Sequence, residues 1–276
     1  MIELPESLAL SRQLSQTITG KTVRSVSANA SPHKFAFYYG DPSEYNGRLA
    51  GKRLGPAKTY AGYLEIAAEE YRILFWDGVN LRYFGPGTEF PAKHQLALAF
   101  DDGSHLVCTV QMYGGLYVYR EGENDNKYYL NATGKPTPYE EAFDETYFAG
   151  LKDGLKPSLS VKAFLATEQR IPGLGNGVLQ DILFRARIHP KRKLDTLSPQ
   201  EFHSLYHSVK ETLLEMERLG GRDTEKDLFG RPGGYRTLLS AKTCRSPCPV
   251  CGGEIVRQAY LGGNVYFCPY CQPVSQ

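Results

Sequence analysis

Four cysteines near the end of the chain, Cys248-Pro-Val-Cys251 and Cys268-Pro-Tyr-Cys271, constrain what it can fold into more than any other feature. A Cys-x-x-Cys turn brings two thiolates to one side of a tight knuckle, and two such knuckles supply the four ligands of a tetrahedral zinc. The sixteen residues between the knuckles, 252 to 267, suffice for one small β-hairpin and cannot bury a core. The metal must then contribute much of the folding free energy of this tail, on the order of 10 kcal/mol in comparable peptides. One structural Zn2+ on Cys248, Cys251, Cys268 and Cys271 is therefore expected. Of the other two cysteines, Cys108 lies in an apolar strand pattern. Cys244 is separated from Cys248 by three residues rather than two, a poorer ligand spacing.

With 276 residues, 41% hydrophobic and 22% charged, the chain has the balance of a folded protein of one large or two medium domains plus the metal tail. It contains no apolar run of about eighteen residues. Its start, Met1-Ile-Glu-Leu-Pro-Glu6, lacks the basic residues and apolar stretch of a secretion signal. A cytoplasmic protein without membrane contact is expected. The net charge of +2 hides an uneven distribution, because Arg185, Arg187, His189, Lys191, Arg192 and Lys193 fall together, and Lys242, Arg245 and Arg257 flank the knuckles. Such clustering points to a basic face.

The first half reads as β and the second as α. Leu10, Leu14 and Ile18 recur at helical spacing after Pro5, predicting a helix to about Gly20. Strand-like runs follow at 35–39, 61–67, 71–76, 80–84, 95–100 and 105–110, with Asp101-Asp-Gly-Ser104 as a hairpin signal, so an antiparallel sandwich or barrel is expected. Residues 131–157 read as a connector with some helical character. Residues 159–165, 176–186 and 199–219 have helical periodicity, the last opened by Ser198-Pro-Gln-Glu201 as a capped start. Gly230 to Gly234 reads as a flexible loop. The glycine-rich Ile171-Pro-Gly-Leu-Gly175-Asn-Gly177 runs straight into a helix and leaves backbone N–H groups pointing outward, a candidate phosphate site to which Asn176 adds an amide.

Taken together, the start Glu3-Leu-Pro-Glu6, the segment from Ile171 through Asn176 to Ile188-His-Pro190, and the paired knuckles resemble the formamidopyrimidine-DNA glycosylase / endonuclease VIII family. The resemblance covers nearly the whole chain and implies an α+β fold. Its parts are an N-terminal helix with an antiparallel β-sandwich (1–130), a linker with a helix-two-turns-helix domain (131–240) and a β-hairpin zinc finger (241–276). It also implies a monomer that clamps damaged or abasic double-stranded DNA, flips the lesion, cuts its glycosidic bond and nicks the strand by elimination. Flipping is required because the reactive sugar carbon is inaccessible in a stacked duplex.

Carried over residue by residue, the resemblance assigns acid/base work to Glu3, a second carboxylate to Glu6, and phosphate contact with assistance to the chemistry to Lys58. Gly173, Gly175 and Asn176 fall on the phosphate-binding turn. Three departures stand out. The family's nucleophile is a proline amine, and Ile2 occupies its position, which leaves the Met1 amine, displaced by about 3.5 Å if extended. The hairpin tip, Leu261-Gly-Gly263-Asn264-Val265, lacks the family's arginine and offers Gly263 and Asn264 to the phosphate instead. The family's Arg-x-Phe wedge reads Gln111-Met-Tyr113, where Tyr113 can intercalate and Gln111 presents an amide to the opposite base. Val79, within Asp77-Gly-Val79, stands where relatives carry a void-filling side chain.

The expected function is hydrolysis of the N-glycosidic bond of an oxidised or otherwise damaged base, with Glu3 helping a water or the Met1 amine and with little AP-lyase activity. The alternative is a catalytically silent protein that binds damaged or abasic sites. Glu3, Glu6 and Lys58 favour the enzyme, and the missing proline favours the binder. A β-sandwich protein with a structural zinc and no DNA role is the blandest reading.

Overall fold

The structure is a computed structural model and describes residues 2–274. It separates into two compact units, one formed by residues up to Thr133 together with Gly220–Gly234, the other by Gly134–Leu219 and the residues from Tyr235 onward.

The first unit opens with α1 (Leu4–Ile18), started by Pro5 in its first turn and burying Leu4, Leu10, Leu14 and Ile18. Seven strands follow, β1 (Val23–Ala28), β2 (Ala36–Tyr38), β3 (Leu54–Tyr60), β4 (Tyr63–Ala68), β5 (Tyr71–Phe84), β6 (Leu96–Phe100) and β7 (His105–Arg120), with short helices α2 (Tyr45–Leu49) and α3 (Lys127–Thr133). The sheet order is β1-β6-β7-β5-β4-β3, antiparallel throughout, and β2 adds to β7 in parallel. One apolar cluster takes Leu64, Ile66 and Phe75 from one end of the sheet and Leu98, Leu106 and Cys108 from the other, so the sheet folds over a shared core as a sandwich. The exposed edge of β3 is satisfied by α1. Ser11 and Ser15 donate to the Ala57 carbonyl at 3.0 and 3.1 Å, and the Ala57 amide donates to Ser15 Oγ at 2.9 Å.

Three expectations shift here. The runs 71–76 and 80–84 are a single strand, β5, because the Asp77-Gly78 pair that looks like a turn is a bulge inside it. Val79 is 2% exposed in the core and cannot fill a void in DNA. The segment 220–234 is bonded into the first unit. Leu228 is buried, its amide donates to Gln13 Oε1 at 3.0 Å, and Gln13 Nε2 donates to Asp227 at 2.9 Å. Strands β1 and β3 escape the sequence reading because their alternation is broken by Ser, Gly and Pro.

The second unit contains α4 (Glu145–Gly150), α5 (Val161–Ala166), α6 (Asn176–Arg185) and α7 (Pro199–Arg218), then the hairpin β8 (Val256–Tyr260) and β9 (Gly263–Phe267). Its helices pack through Phe143, Phe148, Phe164, Phe202 and Tyr206. The expected capped start of α7 is a complete capping box, with Ser198 and Glu201 bonded reciprocally. Ser208 Oγ donates to the Ile182 carbonyl at 2.6 Å and holds α7 against α6. Among the described residues, no helix is long and apolar enough to cross a membrane.

Candidate active site and nucleic-acid interface

In the first unit the chain start is fixed by β5. The Ile2 amide donates to the Asp77 carbonyl at 2.7 Å, and its side chain is buried in the core. That nitrogen is a hydrogen-bonded amide and no nucleophile. Met1, whose amine is the expected substitute, lies outside the described residues.

Glu3 is the cap residue of α1, in extended backbone, and is 3% exposed. Beside it is a residue the sequence reading missed. Arg222 is 2% exposed and grips Glu6 with one edge of its guanidinium, Nε to Oε1 at 2.9 Å and Nη2 to Oε2 at 2.8 Å, while its backbone amide donates to Glu6 Oε1 at 3.1 Å. Its Nη1 is 3.6 Å from Glu3 Oε2. Burial pulls the pKa of this guanidinium down, but the Glu3 and Glu6 carboxylates outweigh it and push Arg222 above its ordinary value. Gly221, in left-handed backbone at φ 99°, leaves room for this contact; a Cβ there would stand 3.4 Å from Glu6 Oε1. The only local signal was Gly220-Gly221-Arg222 after a long helix, which says nothing about a partner more than two hundred residues away. Glu6, expected as a second catalytic carboxylate, is thus committed to Arg222. Lys58 is exposed on β3, opposite Glu65 in register and next to the anchored Ala57.

The wedge candidates arise from the bulge. Asp77 pairs with Gly114 and Val79 with Val110, so the three residues Gln111, Met112 and Tyr113 stand opposite Gly78 alone and are pushed out of the ladder. All three are exposed, Met112 by 64%. The arrangement requires glycine at 78, because a Cβ there would lie 2.5 Å from the Tyr113 carbonyl oxygen.

In the second unit the glycine-rich turn is shaped by left-handed residues, Glu168, Gln169 and Gly173, and is held by Arg170, whose Nη1 donates to the Ala163 and Thr167 carbonyls at 2.9 and 3.1 Å. Gly175 caps α6 without a side-chain bond. The structure brings this turn to the tip of the metal hairpin. Asn176 Nδ2 donates to the Asn264 carbonyl at 2.9 Å, Gln180 Nε2 to the same oxygen at 3.2 Å, and the Tyr266 amide to Gln180 Oε1 at 3.0 Å. Gly263 permits the approach, since a Cβ would lie 3.3 Å from Asn176 Nδ2. Asn176 Oδ1 is buried without a partner among the described residues. Lys162 donates to the Tyr260 carbonyl at 2.6 Å, and Lys191 lies 5.0 Å from the Tyr260 ring. Two cations therefore flank a hairpin that lacks an arginine at its tip.

The four knuckle cysteines converge as expected. Cys248 and Cys271 Sγ are 3.7 Å apart and Cys251 and Cys268 Sγ 3.4 Å, close to the ~3.8 Å edge of a tetrahedron with metal–sulfur bonds of about 2.3 Å. The cluster can hold a metal ion, and Cys244 lies outside it, its thiol turned to the Ala241 carbonyl. Asp181, buried in α6, accepts the amides of Leu238 and Leu239 at 2.8 Å each and ties the tail to the helix.

Comparison with known proteins agrees with this geometry. Residues 135–226 match the formamidopyrimidine-DNA glycosylase H2TH domain. Formamidopyrimidine-DNA glycosylase of Thermus thermophilus is 31% identical over 285 residues, which cover 99% of this chain and 98% of that protein. The chain belongs to the formamidopyrimidine-DNA glycosylase family. The Bacillus cereus member of the family is 27% identical over 280 residues and 99% of both chains. The crystal structure of the Thermus thermophilus protein superposes with a TM-score of 0.81 at 26% identity, over 99% of this chain and all of that one. A Lactococcus lactis family structure with DNA containing N7-benzyl-Fapy-dG reaches 0.83 at 25% identity, over 98% and 99%. Within this family frame, the departures at Ile2 and at Gln111–Tyr113 both adjoin the β5 bulge at Asp77-Gly78.

Proposed function

We propose that the chain is a DNA base-excision-repair glycosylase that acts in the cytoplasm as a monomer. It binds damaged double-stranded DNA, takes the lesion out of the stack and hydrolyses the N-glycosidic bond of an oxidised or otherwise damaged base. The observation that carries this reading is the buried trio of Glu3, Glu6 and Arg222. Burying two carboxylates and a guanidinium is costly against an apolar core, and a protein that only grips an anionic backbone has no use for carboxylates at the sugar. In this reading Glu3 stabilises positive charge developing on the sugar, and Arg222 with Glu6 positions it. Lys58 contacts phosphate, Tyr113 fills the vacated stack, and Gln111 faces the opposite base.

Residues 1–130 supply the chemistry, while 131–240 and the 241–276 finger grip the backbone through Gly173, Gly175, Asn176, Gly263 and Asn264. The metal on the four cysteines is zinc, which folds the finger and takes no part in the reaction. AP-lyase activity is absent from the reading because the Ile2 nitrogen is an amide. Glu3→Gln tests it. Single-turnover base release should fall by about 100-fold or more with binding to abasic duplex retained; a fully active variant would remove Glu3 from the chemistry.

A further inference from the structure

The family frame leaves one chemically loaded residue at the chain start without a role. Asp77 sits in left-handed backbone, φ 58°, at the β5 bulge. Such a conformation in a non-glycine residue is a strain that persists where the surroundings demand it, and bulges of this kind re-aim side chains beside active sites. Three contacts over-determine it. Its carbonyl accepts the Ile2 amide, the residue before Glu3. Gly78, its neighbour, lies under the Tyr113 backbone with no room for a Cβ. Gly114, its register partner, has none either, because a Cβ there would meet Val79 at 2.7 Å.

The side chain so placed is half-buried and lies within electrostatic reach of Glu3, Tyr63 and Tyr113. Burial, and after it the charge on Glu3, push the Asp77 carboxyl up to about 6, which makes it a stronger base than an ordinary aspartate and still ionised at neutral pH. The two glutamates face Arg222, at 3.6 Å from Glu3 and 2.8 Å from Glu6, whereas Asp77 has no such cation beside it among the ion pairs of the described residues.

We propose that Asp77 is the general base of a hydrolytic base excision, standing in for the proline amine whose position Ile2 takes. This rests on the glycosylase reading. A water on the face of the sugar opposite the departing base attacks the anomeric carbon. The new bond is carbon to water oxygen, the bond broken is carbon to base nitrogen, and its electron pair leaves with the base. The water proton passes to the Asp77 carboxylate and from there to solvent, while the departing nitrogen takes a proton from solvent. Glu3 stays ionised beside the oxocarbenium-like sugar. The water-activating carboxylate has the part of the general base in an inverting glycoside hydrolase, while Glu3 stabilises charge on the sugar.

The test uses the full zinc-loaded chain and duplexes with an oxidised base. Asp77→Asn, which tolerates the left-handed backbone, should lower single-turnover base release by 100-fold or more while affinity for abasic duplex and the melting temperature stay unchanged. Asp77→Gly should be equally slow and should recover at least tenfold in added sodium formate, because a small free base can enter the vacated space; a merely structural aspartate would not be replaced this way. Asp77→Asn releasing base at the wild-type rate overturns the proposal and leaves the glycosylase reading intact, as does a wild-type reaction that runs entirely through a borohydride-trapped amine adduct. Wild-type protein that binds the duplex and releases no base overturns the glycosylase reading, and this inference with it.

Discussion

At the residue scale, the first unit holds charges that are buried and paired, with Glu3, Glu6 and Arg222 all under 9% exposed. Arg222 is enclosed by Glu3 and Glu6, so Arg222→Ala leaves two carboxylates in a dry place. Denaturant unfolding should show a loss of about 3–5 kcal/mol, and Arg222→Lys should recover little of it, since a point charge cannot reproduce the bidentate grip. A loss near zero would mean that the trio is solvated. Glu3 and Glu6 were legible in the sequence through the Glu-Leu-Pro-Glu start, but Arg222 was not. A pairing between residues 6 and 222 leaves no local pattern, whereas a Cys-x-x-Cys spacing is local and read directly. Asp77 was legible only as half of a turn, because Asp-Gly signals a hairpin and nothing in the string reveals that β5 continues through it.

At the scale of elements, the β5–β7 bulge and the turn-to-hairpin contact do the positioning. Gly78→Ala forces a methyl into the Tyr113 carbonyl and should cost about 1–3 kcal/mol, and by shifting the bulge it should slow base release as well. An unchanged melting temperature would show that the bulge yields freely. Helices with clear periodicity, α1, α6 and α7, were foreseen within a residue or two, and of these α7 carries a full capping box. The strands were foreseen less well, since β1 and β3 owe their pairing to distant partners rather than to their own alternation. Stripping the metal with a chelator should unfold the hairpin, release Asn264 from Asn176 and abolish duplex binding. The fluorescence of Trp76, the chain's single tryptophan and part of the first unit, should not change. A Trp76 signal that collapses with the metal would contradict the assignment of zinc to the finger alone.

At the scale of the whole molecule, full-length similarity to formamidopyrimidine-DNA glycosylases sets the frame, and two of the three departures, at Ile2 and at Gln111–Tyr113, meet at the β5 bulge. Binding to duplex should fall steeply with salt, with a log-log slope of about −0.9 per phosphate neutralised, and Lys58→Ala should lower that slope by about one. A flat salt dependence would point to a protein with no DNA role. The most direct test of the central claim is a single-turnover reaction on duplexes with an oxidised base, run with borohydride and read on a gel before and after alkali. Alkali-labile product without a trapped adduct is the predicted result. Tight binding with neither product would contradict the account and leave a silent damage binder.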